Sequence, residues 1–255
     1  NTRFSQRISF FATYVLNNAK SDTDGANTFP ANQYDLSGEY GRSSLDIRHR
    51  FTLGGSMNLP WEIRLNPMIT LNSGRPFNIT TGRDTNGDTL FTERPAFATD
   101  LTKAGVKITP FGAFDPNPVA GQEIIPRNYG TGPSFFSVNL RISRTFGFGK
   151  LQSNNSGRAN TGAGGGRGGG GGRGGLGGGG GGGGGGASNE TPSRYDLNVS
   201  ISIQNLLNHT NLGSPIGNLS SPLFGQSNTS AGRFGFGANQ SAGNRRIELQ
   251  LRFSF

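Results

Sequence analysis

Residues 46–59 read Asp46-Ile47-Arg48-His49-Arg50-Phe51-Thr52-Leu53-Gly54-Gly55-Ser56-Met57-Asn58-Leu59. Odd positions are nearly all apolar and even positions are polar or small, so the side chains sort with period two through the whole stretch. That period places each set on one face of an extended strand. Strands of soluble proteins average about five or six residues. This one is more than twice as long.

The same pattern recurs along the chain, and six long amphipathic strands are predicted at 4–17, 46–59, 61–72, 134–147, 193–207 and 245–255. In the third, Trp61, Ile63, Leu65, Ile69 and Leu71 alternate with Glu62, Arg64, Asn66, Thr70 and Asn72. In the fifth, Tyr195, Leu197, Val199, Ile201 and Ile203 alternate with Arg194, Asp196, Asn198, Ser200 and Ser202. Strands of about 9–11 residues, tilted, match the thickness of a bilayer. Lipid offers no water to the backbone, so strands cross it only in a closed barrel. The apolar face then meets lipid and the polar face lines the lumen. The fold class is therefore all-β, an antiparallel transmembrane β-barrel segment of a larger barrel, with long extracellular loops. A soluble sandwich would use shorter strands. Five residues fall against the apolar phase: Gln6, His49, Pro67, Arg144 and Asn205. Arg144 is near a strand end and can snorkel, whereas Pro67 is mid-strand and predicts a bulge or a local break.

Composition agrees. Only 31% of the 255 residues are hydrophobic and 44 are glycine, as expected where every second strand residue suffices to cover an apolar surface. No run approaches the roughly 18 apolar residues of a membrane helix. The chain starts at Asn1 within a strand pattern and reads as the C-terminal segment of a longer protein. It has no cysteine, which excludes disulfides and thiolate metal sites. The net charge of +9 is spread over strands and glycine-rich sequence, so no nucleic-acid partner is expected.

The connections set an orientation. Outer-membrane barrels have short periplasmic turns and long outer loops. The links 18–45, 73–133 and 208–243 are long and the link at Pro60 is minimal, which puts the long ones outside and Pro60 in the periplasm. Aromatic residues favour the membrane interface. On this topology Phe4, Trp61, Phe146, Tyr195 and Phe255 form a periplasmic girdle, with Leu59 the exception. The glycine-rich segment 150–192 then reads as a flexible periplasmic insert. Its Arg158, Arg167 and Arg173 resemble RGG segments, but such proteins carry no amphipathic strands of this kind.

The end Arg246-Ile247-Glu248-Leu249-Gln250-Leu251-Arg252-Phe253-Ser254-Phe255 resembles the terminal strand of outer-membrane proteins. That resemblance implies that Phe253 and Phe255 act as the signal read by the barrel-assembly machinery. Other stretches resemble the barrel of Oar-like TonB-dependent receptors. They are Ser44-Leu45-Asp46-Ile47-Arg48-His49-Arg50-Phe51, Ser73-Gly74-Arg75-Pro76-Phe77, Asp84-Thr85-Asn86-Gly87-Asp88, Arg94-Pro95-Ala96 and Gln204-Asn205-Leu206-Leu207-Asn208-His209-Thr210-Asn211. The likeness covers nearly all of the chain outside the glycine-rich insert. It implies a barrel of about 22 strands with a plugged lumen. It also implies energising by TonB through a plug domain absent from this chain.

No catalytic constellation is present, and the chain is not expected to be an enzyme. Asp84, Asn86 and Asp88 have spacing suited to calcium, although Thr89 and Pro95 stand where an EF-hand places Gly and Glu. No other cofactor is expected. Arg48, Arg50, Arg64, Arg141, Arg246 and Arg252 fall on the lumen phase, against Asp46, Glu62, Asp196 and Glu248. They predict either cross-strand ion pairs or a basic lumen that favours anionic solutes. The expected function is TonB-dependent uptake of an unidentified ligand across the bacterial outer membrane. Alternatives are a structural or adhesive barrel displaying its loops, and a passive porin.

Overall fold

The computed structural model describes residues 2–5, 7–26, 28–150, 193–231 and 243–255. Apart from Lys150, the glycine-rich insert expected at 150–192 lies outside the described residues. Seven strands form one sheet: β1 (Thr2–Ser5), β2 (Ile8–Leu16), β3 (His49–Asn58), β4 (Ile63–Asn72), β5 (Phe135–Lys150), β6 (Ser193–Gln204) and β7 (Arg246–Ser254). Each lies beside its successor in the chain, the meander of an up-and-down barrel wall. The chain divides into two units, residues 1–144 with 199–251 and residues 145–198 with 252–255.

Register brings the apolar phases of separate strands together. Tyr14, Phe51, Leu71 and Phe136 share one row across β2 to β5, and Ala12, Leu53, Ile69 and Val138 share another. Ile8, Met57, Leu65 and Ile142 make a third. The row between the first two is Thr13, Thr52, Thr70 and Ser137, on the opposite face. A slip of one residue in any pair would turn a whole strand over. Four strands read separately therefore agree on one apolar face.

The structure corrects the expected strand 4–17, which is a hairpin. Thr2 stands opposite Phe10 and Arg3 opposite Ser9, and the chain reverses between Ser5 and Ile8. Phe4, Ile8 and Phe10 all stand at even positions, so the alternation runs on through the reversal and conceals it, although the register shifts between Arg3 and Ser5 so that Ser5 faces Ile8. Pro67 gives a local break. The β3–β4 ladder stops between the pairs Gly54–Met68 and Met57–Leu65 and resumes in the same register. On the other edge the ladder runs through Leu140–Pro67 without interruption. Pro67 thus omits one ladder donor toward β3 and costs no shift. Facing it, Gly54 and Gly55 admit the rings of Phe11 and Phe10. A Cβ at either would lie 2.4 Å or 2.3 Å from ring carbon.

The buried core is not in the sheet. Among the described residues the buried hydrophobic side chains are Ile47, Phe77, Ile79, Ala96, Phe114, Ile125, Phe135 and Leu219, and of these only Phe135 belongs to the seven-stranded sheet. Phe77, Ile79, Phe114, Ile125 and Leu219 pack together, flanked by Phe97, Phe111, Tyr129 and Phe224. These residues come from the links after β4 and after β6. The expected long loops are a folded layer. Ala96–Phe97, Gly112–Asp115 and Lys107–Thr109 form a small sheet, and Pro76–Phe77 pairs with Gly130–Thr131. A parallel bridge joins Thr80 to Asn218. Burying each Phe, Ile or Leu contributes about 1.5–3 kcal/mol, enough to hold loops that have little regular structure.

Candidate functional site in the loop layer

The motifs singled out in the sequence sit where strands enter this layer. In Gln204–Asn211, Asn205 and Asn208 take left-handed φ of 51° and 53°, which ends β6 three residues before its expected limit of 207. Short amide side chains tolerate that conformation. Asn205 caps the reversal, accepting from the His209 N–H at 3.0 Å and donating to its carbonyl at 2.8 Å. The Asn211 amide pairs with both backbone groups of Phe136, at 2.8 and 2.9 Å. In Ser73–Phe77, Gly74 lies so close to Gly132 that an added Cβ would come within 1.8 Å of its carbonyl oxygen.

Asp46 is the hub of the next motif. It is fully buried, accepts the Ala19 N–H at 3.0 Å and is bridged by Arg42 at 3.1 Å and Arg48 at 3.6 Å. β3 begins only at His49, so Arg48, expected on the lumen wall, lies ahead of the strand and serves Asp46. Asp24 bridges Arg127 at 3.0 Å and accepts the Asn128 amide at 2.7 Å, tying the first loop to the second. Arg94 and Glu39 form a buried pair at 3.0 Å, and Arg94 also donates to the Gly38 carbonyl at 2.7 Å. Removing one partner of such a pair costs about 3–5 kcal/mol.

These carboxylates make the layer acid-sensitive. Burial alone would raise Asp24. The Ser44 N–H, the Asn128 amide and the Arg127 charge outweigh it and hold Asp24 below the ordinary range. Burial likewise opposes the Ala19 N–H, Arg42 and Arg48 at Asp46, and Lys103 with the Asn117 N–H at Asp115, and both remain lowered. A lowered folded-state pKa stabilises above the unfolded value, near 3.9, and that contribution is lost as pH falls through the folded value. Hydrogen-exchange protection of the loop layer should hold from neutrality down to about pH 4 and weaken below it. Asp24→Asn should reduce that acid dependence. Protection that declines already between pH 7 and 5 would assign the effect to other groups.

The acidic motif is more compact than its sequence suggests. Carboxylate oxygens of Asp84, Asp88 and Glu93 all lie within 4.8 Å of one another. Asn86, expected as a third ligand, donates from its amide to Asp88 Oδ2 and to the Ala31 carbonyl, both at 3.1 Å, and accepts the Asp88 N–H at 2.9 Å. Glu93 was missed. The EF-hand template tests the twelfth position, Pro95, whereas this carboxylate stands at the tenth counted from Asp84.

The remaining arginines lie on the polar phase of the strands. Arg50 stands between Val15 and Asn72 and donates to the Leu45 carbonyl at 3.3 Å, while its buried Nε has no hydrogen-bond partner. Burial and the Arg50 charge both lower the pKa of Arg75 just beyond β4. Arg64 donates to Asn58 at 3.2 Å and Arg141 to Ser200 at 3.2 Å. Arg246 pairs with Glu248 of the same strand at 2.8 Å. Arg252 is exposed on β7.

At the Pro60 turn, Trp61 and Glu62 have φ of 62° and 59°, and Trp61 is 77% exposed. Phe4 belongs to β1, and its side chain lies outside the described residues. Within the smaller unit Tyr195 stacks on Phe148 at 5.8 Å and on Phe253 at 5.9 Å, and Phe255 adjoins Phe253 at 6.2 Å. Phe146 is part-exposed and Phe255 is 96% exposed. His49, an exception to the apolar phase, is accounted for by Tyr14, whose hydroxyl lies 2.8 Å from His49 Nδ1 with the rings stacked at 6.2 Å. Neither the pairing nor Phe148 was legible from period two.

A family described as an outer membrane beta barrel domain matches residues 1–160. No curated protein and no solved structure matches the chain.

Proposed function

The chain belongs to the outer membrane beta barrel domain family, located in the outer membrane, and on that premise we propose that it is receptor wall for TonB-dependent uptake. The single observation that carries this reading is the loop layer. Loops with a shared buried core and buried ion pairs present a fixed surface for ligand capture, which free loops do not. The ligand passes from that surface along a wall bearing Arg50, Arg64 and Arg141. TonB acts through a plug domain outside this chain. The partners on this reading are lipid, the assembly machinery reading Phe253 and Phe255, and the ligand. The barrel binds and conducts, and it catalyses nothing.

A second reading, adhesive display, draws on one observation. The loops expose Tyr34 (84%), Ile108 (75%) and Val119 (63%), apolar surface that could meet another protein. Planar-bilayer recording and calorimetry with the periplasmic domain of TonB separate these readings, using the full-length protein. A channel closed at rest that binds TonB is the expected result. Open conductance without TonB would make it a porin, and a closed barrel blind to TonB would favour display.

A further inference from the structure

We propose that Asp84, Asp88 and Glu93 form a calcium site that locks the loop layer. The three carboxylates converge within 4.8 Å. Glu93 is 8% exposed, and its Oε2 is buried with no hydrogen-bond partner. Leaving a carboxylate oxygen buried and unsatisfied beside two other carboxylates is costly. A bound cation removes both the missing contact and the repulsion.

The rest of the motif holds the carboxylates in place without exhausting them. Asp84 accepts the Gly87 N–H at 2.7 Å and the Thr89 N–H at 2.9 Å, one on each oxygen. Asp88 Oδ1 accepts the Leu90 N–H at 2.8 Å, and Glu93 Oε1 accepts the Thr85 N–H at 2.6 Å. Glu93 Oε1 also accepts the Thr85 hydroxyl and the Asn86 N–H, each at 3.4 Å, which leaves Oε2 as the Glu93 oxygen open to a metal. Each oxygen of Asp84 and Asp88 retains a lone pair.

An all-oxygen, strongly anionic set selects a hard cation over zinc or copper. Two oxygens on one calcium stand at most about 5 Å apart, twice a bond of 2.3–2.6 Å. Convergence within 4.8 Å satisfies that limit. Three protein carboxylates suit calcium, which takes many oxygen ligands in a flexible shell, better than magnesium, which keeps most of its waters and uses one or two carboxylates. The consequence of calcium binding is mechanical. Thr92 donates to the Pro30 carbonyl at 2.7 Å, Asn86 reaches Ala31, and Arg94 pairs with Glu39, so the site sits on the seam between the first two loops.

The test is calorimetry of the full-length barrel protein, refolded free of lipopolysaccharide and stripped with chelator, titrated with calcium chloride and separately with magnesium chloride. One calcium per chain is expected, with Kd of about 10⁻³ M or tighter. Glu93→Gln and Asp88→Asn should each weaken binding by about tenfold or more. Asp88 is only half-buried, so Asp88→Asn decides the matter should Glu93→Gln not fold, as judged by heat-modifiable mobility. No calcium heat from folded wild type up to about 10 mM, ten times the weakest Kd expected, would overturn the site. So would wild-type affinity in the folded variants, or magnesium binding as tight as calcium.

Discussion

Phe114→Ala should open the loop layer and leave the strands standing. Phe114 is wholly buried, and its ring meets Tyr129 edge-on at 5.9 Å. It lies at the centre of a cluster drawn from Phe77, Ile79, Ile125 and Leu219. Truncating such a ring costs about 3–5 kcal/mol, comparable with the whole stability of a small domain. The sheet does not share that cost, because its strands are held by backbone ladders and, in the membrane, by lipid. Hydrogen exchange over residues 73–134 should rise steeply, while the heat-modifiable mobility of the folded barrel is kept. Loss of ligand capture without loss of the barrel would tie recognition to this core. Unchanged protection in the loops would show that something other than the aromatic cluster holds them.

The second large effect distinguishes the two faces of one strand. Ile69 and Thr70 are neighbours in the middle of β4, and both are half-buried. Burial alone predicts similar costs for placing a charge at either. Register predicts otherwise. Ile69 stands in the apolar row between Leu53 and Val138, and Thr70 in the polar row between Thr52 and Ser137. An arginine on the lipid face near the bilayer midplane costs about 2–4 kcal/mol, whereas lumen substitutions chiefly alter selectivity. Ile69→Arg should therefore lower folding stability in lipid vesicles by that amount, read by urea titration, and Thr70→Arg by far less. Equal costs would mean that the apolar face does not meet lipid, and the membrane assignment of β4 would fail.

Amino-acid order alone determined which face of each strand is apolar, because alternation is a local property and each strand carries its own copy. It determined the interruption at Pro67 as well, since a missing N–H acts wherever the chain goes. Tertiary structure decided what has no local period. The hairpin at Ser5–Ile8 was hidden because apolar residues keep even positions, Phe4, Ile8 and Phe10, on both sides of the reversal. The loop core draws Phe77, Phe114, Ile125 and Leu219 from distant parts of the chain, and nothing in the spacing of those residues announces that they meet. Glu93 joins Asp84 and Asp88 for the same reason: the loop folds back between them, and its path is set by contacts with Pro30 and Ala31 far upstream. Alternation reports which way a side chain points from its own backbone, and only the folded path of the chain reports what it points at.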